Sequence, residues 1–168
     1  LSMGVEIDPA ARNQLANYIQ ARQPKRRICC ALQVGWSGDS FVLPERVIGP
    51  NAADVIFQSA EVGSNENPTA GTLEQWQALI SQRAPGNPML VLALSCAFAG
   101  PLLAKCNAEG GGIHIFGDSS MGKSSLLDVA CSVWGGPWFR KSWRATANGM
   151  EGTAALHNDG LLPLDEIS

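Results

Sequence analysis

The stretch Gly117-Asp118-Ser119-Ser120-Met121-Gly122-Lys123-Ser124 satisfies the pattern G-x-x-x-x-G-K-[ST] in full. This pattern constrains the fold tightly, because it carries meaning only when it follows a β-strand and opens an α-helix. Gly112 to Phe116, with branched and aromatic residues, predicts the strand. Lys123 to Trp134 predicts the helix, with Leu126, Leu127, Ala130, Val133 and Trp134 along one apolar face. In that setting the glycines let backbone N–H groups turn inward around an anion, and the following helix points its positive end at the same place. Lys123 adds a point charge suited to the β- and γ-phosphates, and Ser124 a hydroxyl suited to Mg²⁺. The expected ligand is ATP with Mg²⁺, held by Gly117, Asp118, Ser119, Ser120, Met121, Gly122, Lys123, Ser124 and Ser125. The plainer alternative is a structural glycine-rich turn.

Further along, the apolar run Leu161-Leu162-Pro163-Leu164 ends in Asp165-Glu166. An apolar strand ending in an acid pair is the Walker B pattern, which is weak alone and gains weight downstream of a full phosphate loop. Asp165 is expected to hold the Mg²⁺ hydration shell together with Ser124. Glu166 is expected to polarise the water that attacks the γ-phosphate, so Glu166 and Lys123 are the candidate catalytic residues. Without the loop, the two carboxylates would read as a solvated turn. Pro163 fits poorly, because it removes a ladder donor from a predicted strand. Either its N–H side faces no partner or the strand bulges there. The acid pair favours hydrolysis over transfer to a small acceptor, which sets a small-molecule kinase aside.

The rest of the chain supports an alternating α/β reading. Pro9 to Gln23 predicts a helix, Arg27 to Trp36 a strand, Ser37-Gly38-Asp39 a turn and Ser40 to Leu43 the returning strand of a hairpin. Val47-Ile48 and Val55 to Phe57 are further short strands, and Gly63 to Gly71 is a polar loop or linker. Thr72 to Gln82 is a helix capped by Thr72 or Gly71. Met89 to about Lys105 is a second, buried helix, capped by Asn87 with Pro88 in its first turn and kinked at Pro101. Phe139 to Trp143 is a strand, Asn148 to His157 a helix with Thr146 or Asn148 as cap, and Gly160 to Leu164 a strand. The expected fold class is α/β: a truncated P-loop NTPase core with a mostly parallel sheet covered by helices, preceded by a small β-rich α+β region. The expected division is residues 1–70 and 71–168.

Composition excludes several other classes. A chain of 168 residues with 45% hydrophobic and 16% charged residues is not disordered and is long enough to bury a core without disulfides. The net charge of −3 argues against a chain-wide polyanion-binding surface. A local basic cluster at Arg22, Lys25, Arg26 and Arg27 reads as a solvated helix end or as a phosphate contact. The longest apolar run, Met89 to Ala104, is shorter than the ~20 residues of a membrane span. No apolar leader opens Leu1 to Asn13, and Leu1-Ser2-Met3 reads as a cloning scar or a cut from a longer chain. Five scattered cysteines read as reduced, buried thiols of a cytoplasmic protein, and a zinc site is not expected. Trp36, Trp76, Trp134, Trp138 and Trp143 read as packing residues rather than stacking platforms for bases, His157 as a helix-end or surface residue, and Arg144 as exposed or structural, or as reaching phosphate or nucleic acid.

Three groups of residues carry a likeness to a known family. They are Gly35 to Pro44, Val91 to Leu102, and the pair Trp143 to Gly152 and Ala154 to Gly160. With these, the stretch Gly35 to Ser168, about four fifths of the chain, resembles the domain-of-unknown-function family nine-two-seven. That family occurs in phage, plasmid and bacterial proteins resembling primase-helicases. Met121 stands where threonine is commoner, and Pro163 where an apolar strand residue is more usual. The likeness implies a helicase-like, replication-associated ATPase of the catalytic-glutamate P-loop class. It further implies DNA, expected to be single-stranded, as partner, a homo-oligomer, and an arginine finger from a neighbouring subunit. The alternative is a nucleotide-gated binding or regulatory module that does not translocate. Because the sequence stops two residues after Glu166, it is expected to be the first half of an ATPase core, competent for weak nucleotide binding and not for efficient turnover.

Overall fold

The computed structural model describes residues 9–22, 24–58 and 69–166. Among these, five α-helices and seven short strands form a mixed α/β arrangement, in which five strands follow the first helix and alternation is confined to the C-terminal part. A 3₁₀ turn at Pro9–Ala11 leads into α1 (Arg12–Ala21), close to the expected bounds. Tyr18 and Ile19 on α1 stay exposed, and the Arg22 guanidinium sits 4.7 Å over the Tyr18 ring. The predicted strand over Arg27 to Trp36 divides into β1 (Cys29–Ala31) and β2 (Gly35–Ser37). The break is made at Val34, whose N–H leaves the strand direction to bond the Ala155 carbonyl at 3.0 Å. Beyond it, β2, β3 (Ser40–Val42) and β4 (Val47–Ile48) form an antiparallel meander with Ser37 opposite Ser40, the expected hairpin. β5 (Val55–Phe57) runs parallel to β1, with Cys29 opposite Val55. Of the predicted linker, residues 63–68 lie outside the described residues.

Helix α2 (Leu73–Leu79) starts with a full capping box: Thr72 Oγ1 accepts from Gln75 N–H, and the Gln75 side chain accepts from Thr72 N–H. It is shorter than predicted, because the chain tightens into a 3₁₀ turn at Ser81–Arg83. Helix α3 (Pro88–Lys105) is capped as expected, with Asn87 Oδ1 accepting from the N–H groups of Met89 and Leu90. It runs through Pro101 to Lys105. Pro101 has no N–H to give the Ala97 carbonyl one turn back. The Trp134 indole N–H takes that acceptor instead, at 2.7 Å.

The core is built where α3 meets α4 (Lys123–Cys131). Ala93 and Ala97 of α3 and Ala130 of α4 are buried against one another, and Leu126, Val133, Trp134 and Leu161 close around them. Small residues one turn apart let the two helices approach closely. Of the larger apolar residues of α3, Leu94 is buried while Val91, Phe98 and Leu102 are exposed. The prediction of a buried helix is therefore right for one face only. By length and composition α3 could also cross a membrane; its alanine face and its bond to Trp134 make it the central helix of this fold.

A third sheet pairs β6 (Lys141–Ser142) parallel with β7 (Leu164–Asp165), on either side of α5 (Ala147–Leu156). Of the alternative caps, Thr146 holds α5, its Oγ1 accepting from Gly149 N–H at 3.2 Å. Of the strand predicted over Phe139 to Trp143, only Lys141–Ser142 forms, and Phe139 instead closes a 3₁₀ turn at Pro137–Phe139. The parallel pairings are thus short and separate rather than one continuous sheet.

Several burial expectations are corrected. Trp36, Trp76 and Trp134 are packing residues, and each indole N–H is bonded, to Pro101 O, Ser132 Oγ and Ala97 O. Trp138 is 78% exposed and Trp143 47% exposed, which rules them out as packing residues. His157 is buried, its ring tilted against Phe139 with centroids 4.7 Å apart and Nδ1 2.8 Å from Thr153 O. Of the five free thiols, Cys131 is buried and Cys96 half-buried, while Cys29, Cys30 and Cys106 are exposed.

The candidate nucleotide site

The Gly117–Ser124 loop lies where the sequence places it relative to its helix. Gly122 adopts a left-handed conformation (φ 80°) at the N-cap of α4, and Lys123 is the first helical residue. Gly117 (φ 150°) and Ser120 (φ 63°) also have positive φ. A side chain is rarely tolerated there, and Ser120 is the one non-glycine in the loop to adopt it. Backbone reversals of this kind are what anion-binding nests are built from. No side chain caps α4, so its first N–H groups stay available at the same end. Lys123 Nζ folds back over the loop and donates to Gly117 O at 2.8 Å and Asp118 O at 2.5 Å. Ser119, Met121, Ser124 and Ser125 are exposed beside it.

The strand predicted to carry this loop is not formed. Gly112 to Phe116 has no regular structure, with Ile113 58% and Phe116 82% exposed. A strand exists only through its ladder, and among the described residues nothing pairs with this segment; β7 pairs with β6 instead.

The acid pair is positioned by β7. This strand is shorter than predicted and already includes Asp165. The difficulty with Pro163 resolves here. Pro163 is fully buried just before β7 and meets the ladder through its carbonyl: Lys141 N–H donates to Pro163 O at 2.9 Å, and Trp143 N–H to Asp165 O at 3.1 Å. The missing N–H is therefore never called on, which is the first of the two expected alternatives. Asp165 Oδ1 accepts from the Glu166 N–H at 2.9 Å. That contact accompanies the positive φ of Glu166 (63°), whose side chain stands exposed.

The structure does not join the acid pair directly to Lys123 or Ser124 by a hydrogen bond or ion pair among the described residues. It joins them through a residue the sequence reading passed over. Arg140, just before β6, places Nη1 3.3 Å from Asp128 Oδ1 and 3.5 Å from Asp165 Oδ2. Asp128 lies four residues after Ser124 on α4, so the two share a helix face about 6 Å apart along the axis. A signal was available in the four-residue spacing of Ser124 and Asp128. Its partner could be found only from the parallel register that sets β6 beside β7. Cys131, on the buried side of α4, has its thiol pushed up from its ordinary 9.0 to about 11, chiefly by burial and then by the charge of Asp128.

An ammonium, loop N–H groups and a helix N-terminus suit phosphate oxygens. Among the described residues no three His, Cys, Asp or Glu side chains gather to hold a metal. A Mg²⁺ ion here would rest on the Ser124 hydroxyl, the Asp165 carboxylate and the phosphates, as such ions commonly do. The basic cluster near α1 is partly neutralised, because Arg26 pairs with Asp54 at 3.1 Å and also bonds Ala53 O. Arg144 is exposed, its N–H donating to Ser142 Oγ. No curated protein and no solved structure gives a match. The family described as Domain of unknown function (DUF927) matches residues 1–168, and the chain belongs to it.

Proposed function

We propose that this chain is the ATP- and Mg²⁺-binding P-loop region of a helicase-like, DNA-replication-associated ATPase. The observation that carries the reading is the loop itself: positive φ at Gly117, Ser120 and Gly122, with Lys123 opening α4 and its ammonium held over the loop. When ATP binds, Lys123 Nζ exchanges the Gly117 and Asp118 carbonyls for phosphate oxygens. The N–H groups of the first turn of α4 face the same charge. Ser124 and Asp165 would hold a hydrated Mg²⁺, which would supply charge neutralisation to the phosphates. Glu166 takes the proton of the attacking water. A single-stranded DNA partner, a homo-oligomeric state, a cytoplasmic location and the P-loop core class belong to the same proposal.

ATP turnover by the natural protein, measured with and without single-stranded DNA, tests it. We expect Glu166→Gln to lower turnover by at least a hundredfold. No turnover under either condition, or a Glu166→Gln variant equal to wild type, overturns the ATPase reading. A second reading, a nucleotide-gated binding module without translocation, draws on a specific contact. Both Asp165 oxygens are already engaged, one by Glu166 N–H and one near Arg140. Tight, Mg²⁺-dependent ATP binding with no hydrolysis would select it.

A further inference from the structure

We propose that Arg140 is a counter-charge that competes with the divalent cation for Asp165, with Asp128 setting how strongly it does so. The inference rests on the nucleotide–metal reading of the site and adds a regulating residue to it. Asp165 has two oxygens. Oδ1 accepts from the Glu166 N–H next to it in the chain, which fixes the carboxylate's orientation without help from Arg140. Oδ2 is the oxygen left for an incoming cation, and the Arg140 guanidinium stands there at 3.5 Å. The same nitrogen is 3.3 Å from Asp128 Oδ1, so one N–H-bearing atom is shared between two carboxylates rather than forked onto either. Such a shared contact is weak and easily redistributed compared with a bidentate pair. When a cation approaches Oδ2, the guanidinium has somewhere to go, because Asp128 can take it whole. All three side chains are between about a third and a half exposed, so the exchange needs no rearrangement of the core. The bridge also spans the two parts that must meet for catalysis: α4, which begins at Lys123, and β7, which carries Asp165.

The competition predicts opposite signs on its two sides. Removing the guanidinium frees Asp165 for the cation. Removing the Asp128 charge leaves the guanidinium wholly to Asp165. A merely structural bridge would instead loosen the site in either variant, and both would bind the cation less well. The test is a Mg²⁺ titration of the 168-residue chain at fixed concentration of a fluorescent ADP analogue, followed by nucleotide fluorescence. The Arg140→Gln variant is expected to lower the Mg²⁺ midpoint roughly two- to fivefold, and Asp128→Asn to raise it by a similar factor, the size of an exposed ion-pair interaction. Arg140→Lys, which keeps the charge, should stay near wild type. In an Asp165→Asn background, Arg140→Gln should no longer shift the midpoint. Shifts of the same sign in Arg140→Gln and Asp128→Asn, or a full Arg140→Gln shift that persists in Asp165→Asn, overturn the competition while leaving the nucleotide site standing. A wild-type chain that binds the analogue with no Mg²⁺ dependence overturns the metal reading itself.

Discussion

Two regions of this molecule answer the same sequence question in opposite ways. One is the glycine loop with the segment before it, and the other is the clasp that closes the hairpin onto the C-terminal part. The loop is exposed along much of its length, and a Cβ added at Gly110, Gly111 or Gly112 would meet only open space. In the clasp, Trp36 N–H donates to Asp159 Oδ2 at 2.9 Å, Asn158 Nδ2 donates to Val34 O at 3.0 Å, and Trp36 Nε1 donates to Pro101 O at 2.9 Å. Lys105 lies 4.0 Å over the Trp36 ring and 3.6 Å from Asp39. Gly100 of α3 is set so close to Gly160 that a Cβ would stand 2.4 Å from the Gly160 carbonyl oxygen. The glycines of the loop and of the segment before it face open space, whereas Gly100 of the clasp is held against backbone.

Exchanging one glycine for alanine in each region should expose that difference most strongly. Gly100→Ala pushes a methyl into backbone that cannot rotate away, and is expected to cost about 3 kcal/mol. Gly111→Ala should stay within about 0.5 kcal/mol of wild type. Urea denaturation of the two variants side by side checks this, and equal losses would erase the distinction. Next in size, Asp159→Ala leaves the Trp36 N–H without its acceptor and should cost about 2 kcal/mol by the same measurement. A loss within error would mean that the clasp does not hold the hairpin.

A smaller effect concerns α4, the helix that the loop opens. The raised Cys131 thiol favours the neutral form in the folded chain. Its contribution is complete below pH 9 and is lost as pH rises toward about 11, because the unfolded thiol ionises first. The stability gap between wild type and Cys131→Ala should therefore shift against wild type by about 1 to 2 kcal/mol over that interval. A gap independent of pH would show that Asp128 and burial do not act on this thiol as described.

The comparison also shows what could be read from sequence. The loop was legible because its chemistry dictates residue types at fixed spacing, from Gly117 to Ser124, and helix caps such as Asn87 and Thr72 were legible because they act on neighbours in the chain. The clasp was not, because its partners are up to 124 residues apart and only the folded chain brings them together. Yet the segments that carried the family likeness without a chemical meaning, around Trp36, Gly100 and Asn158-Asp159-Gly160, are the ones that meet there. Their signature is packing rather than catalysis. Trp138 and Trp143 misled because an aromatic residue carries no mark of which side it faces. The predicted Gly112–Phe116 strand misled because alternation describes a strand's faces and cannot supply the neighbour whose carbonyls complete it. Arg140 escaped notice for the same reason, since its role depends on which strands pair.

Everything said about the site returns to whether this loop holds a nucleotide. Calorimetric titration of ATP with Mg²⁺ into the 168-residue chain and into Lys123→Ala, with circular dichroism to show that both are folded, asks this directly. Among the described residues the Lys123 ammonium bonds loop carbonyls at Gly117 and Asp118, so its removal should leave the fold intact. The account predicts measurable binding by the wild-type chain and at least a tenfold loss in Lys123→Ala, the loss of a charge-assisted phosphate contact. Equal affinity in two equally folded proteins would contradict it.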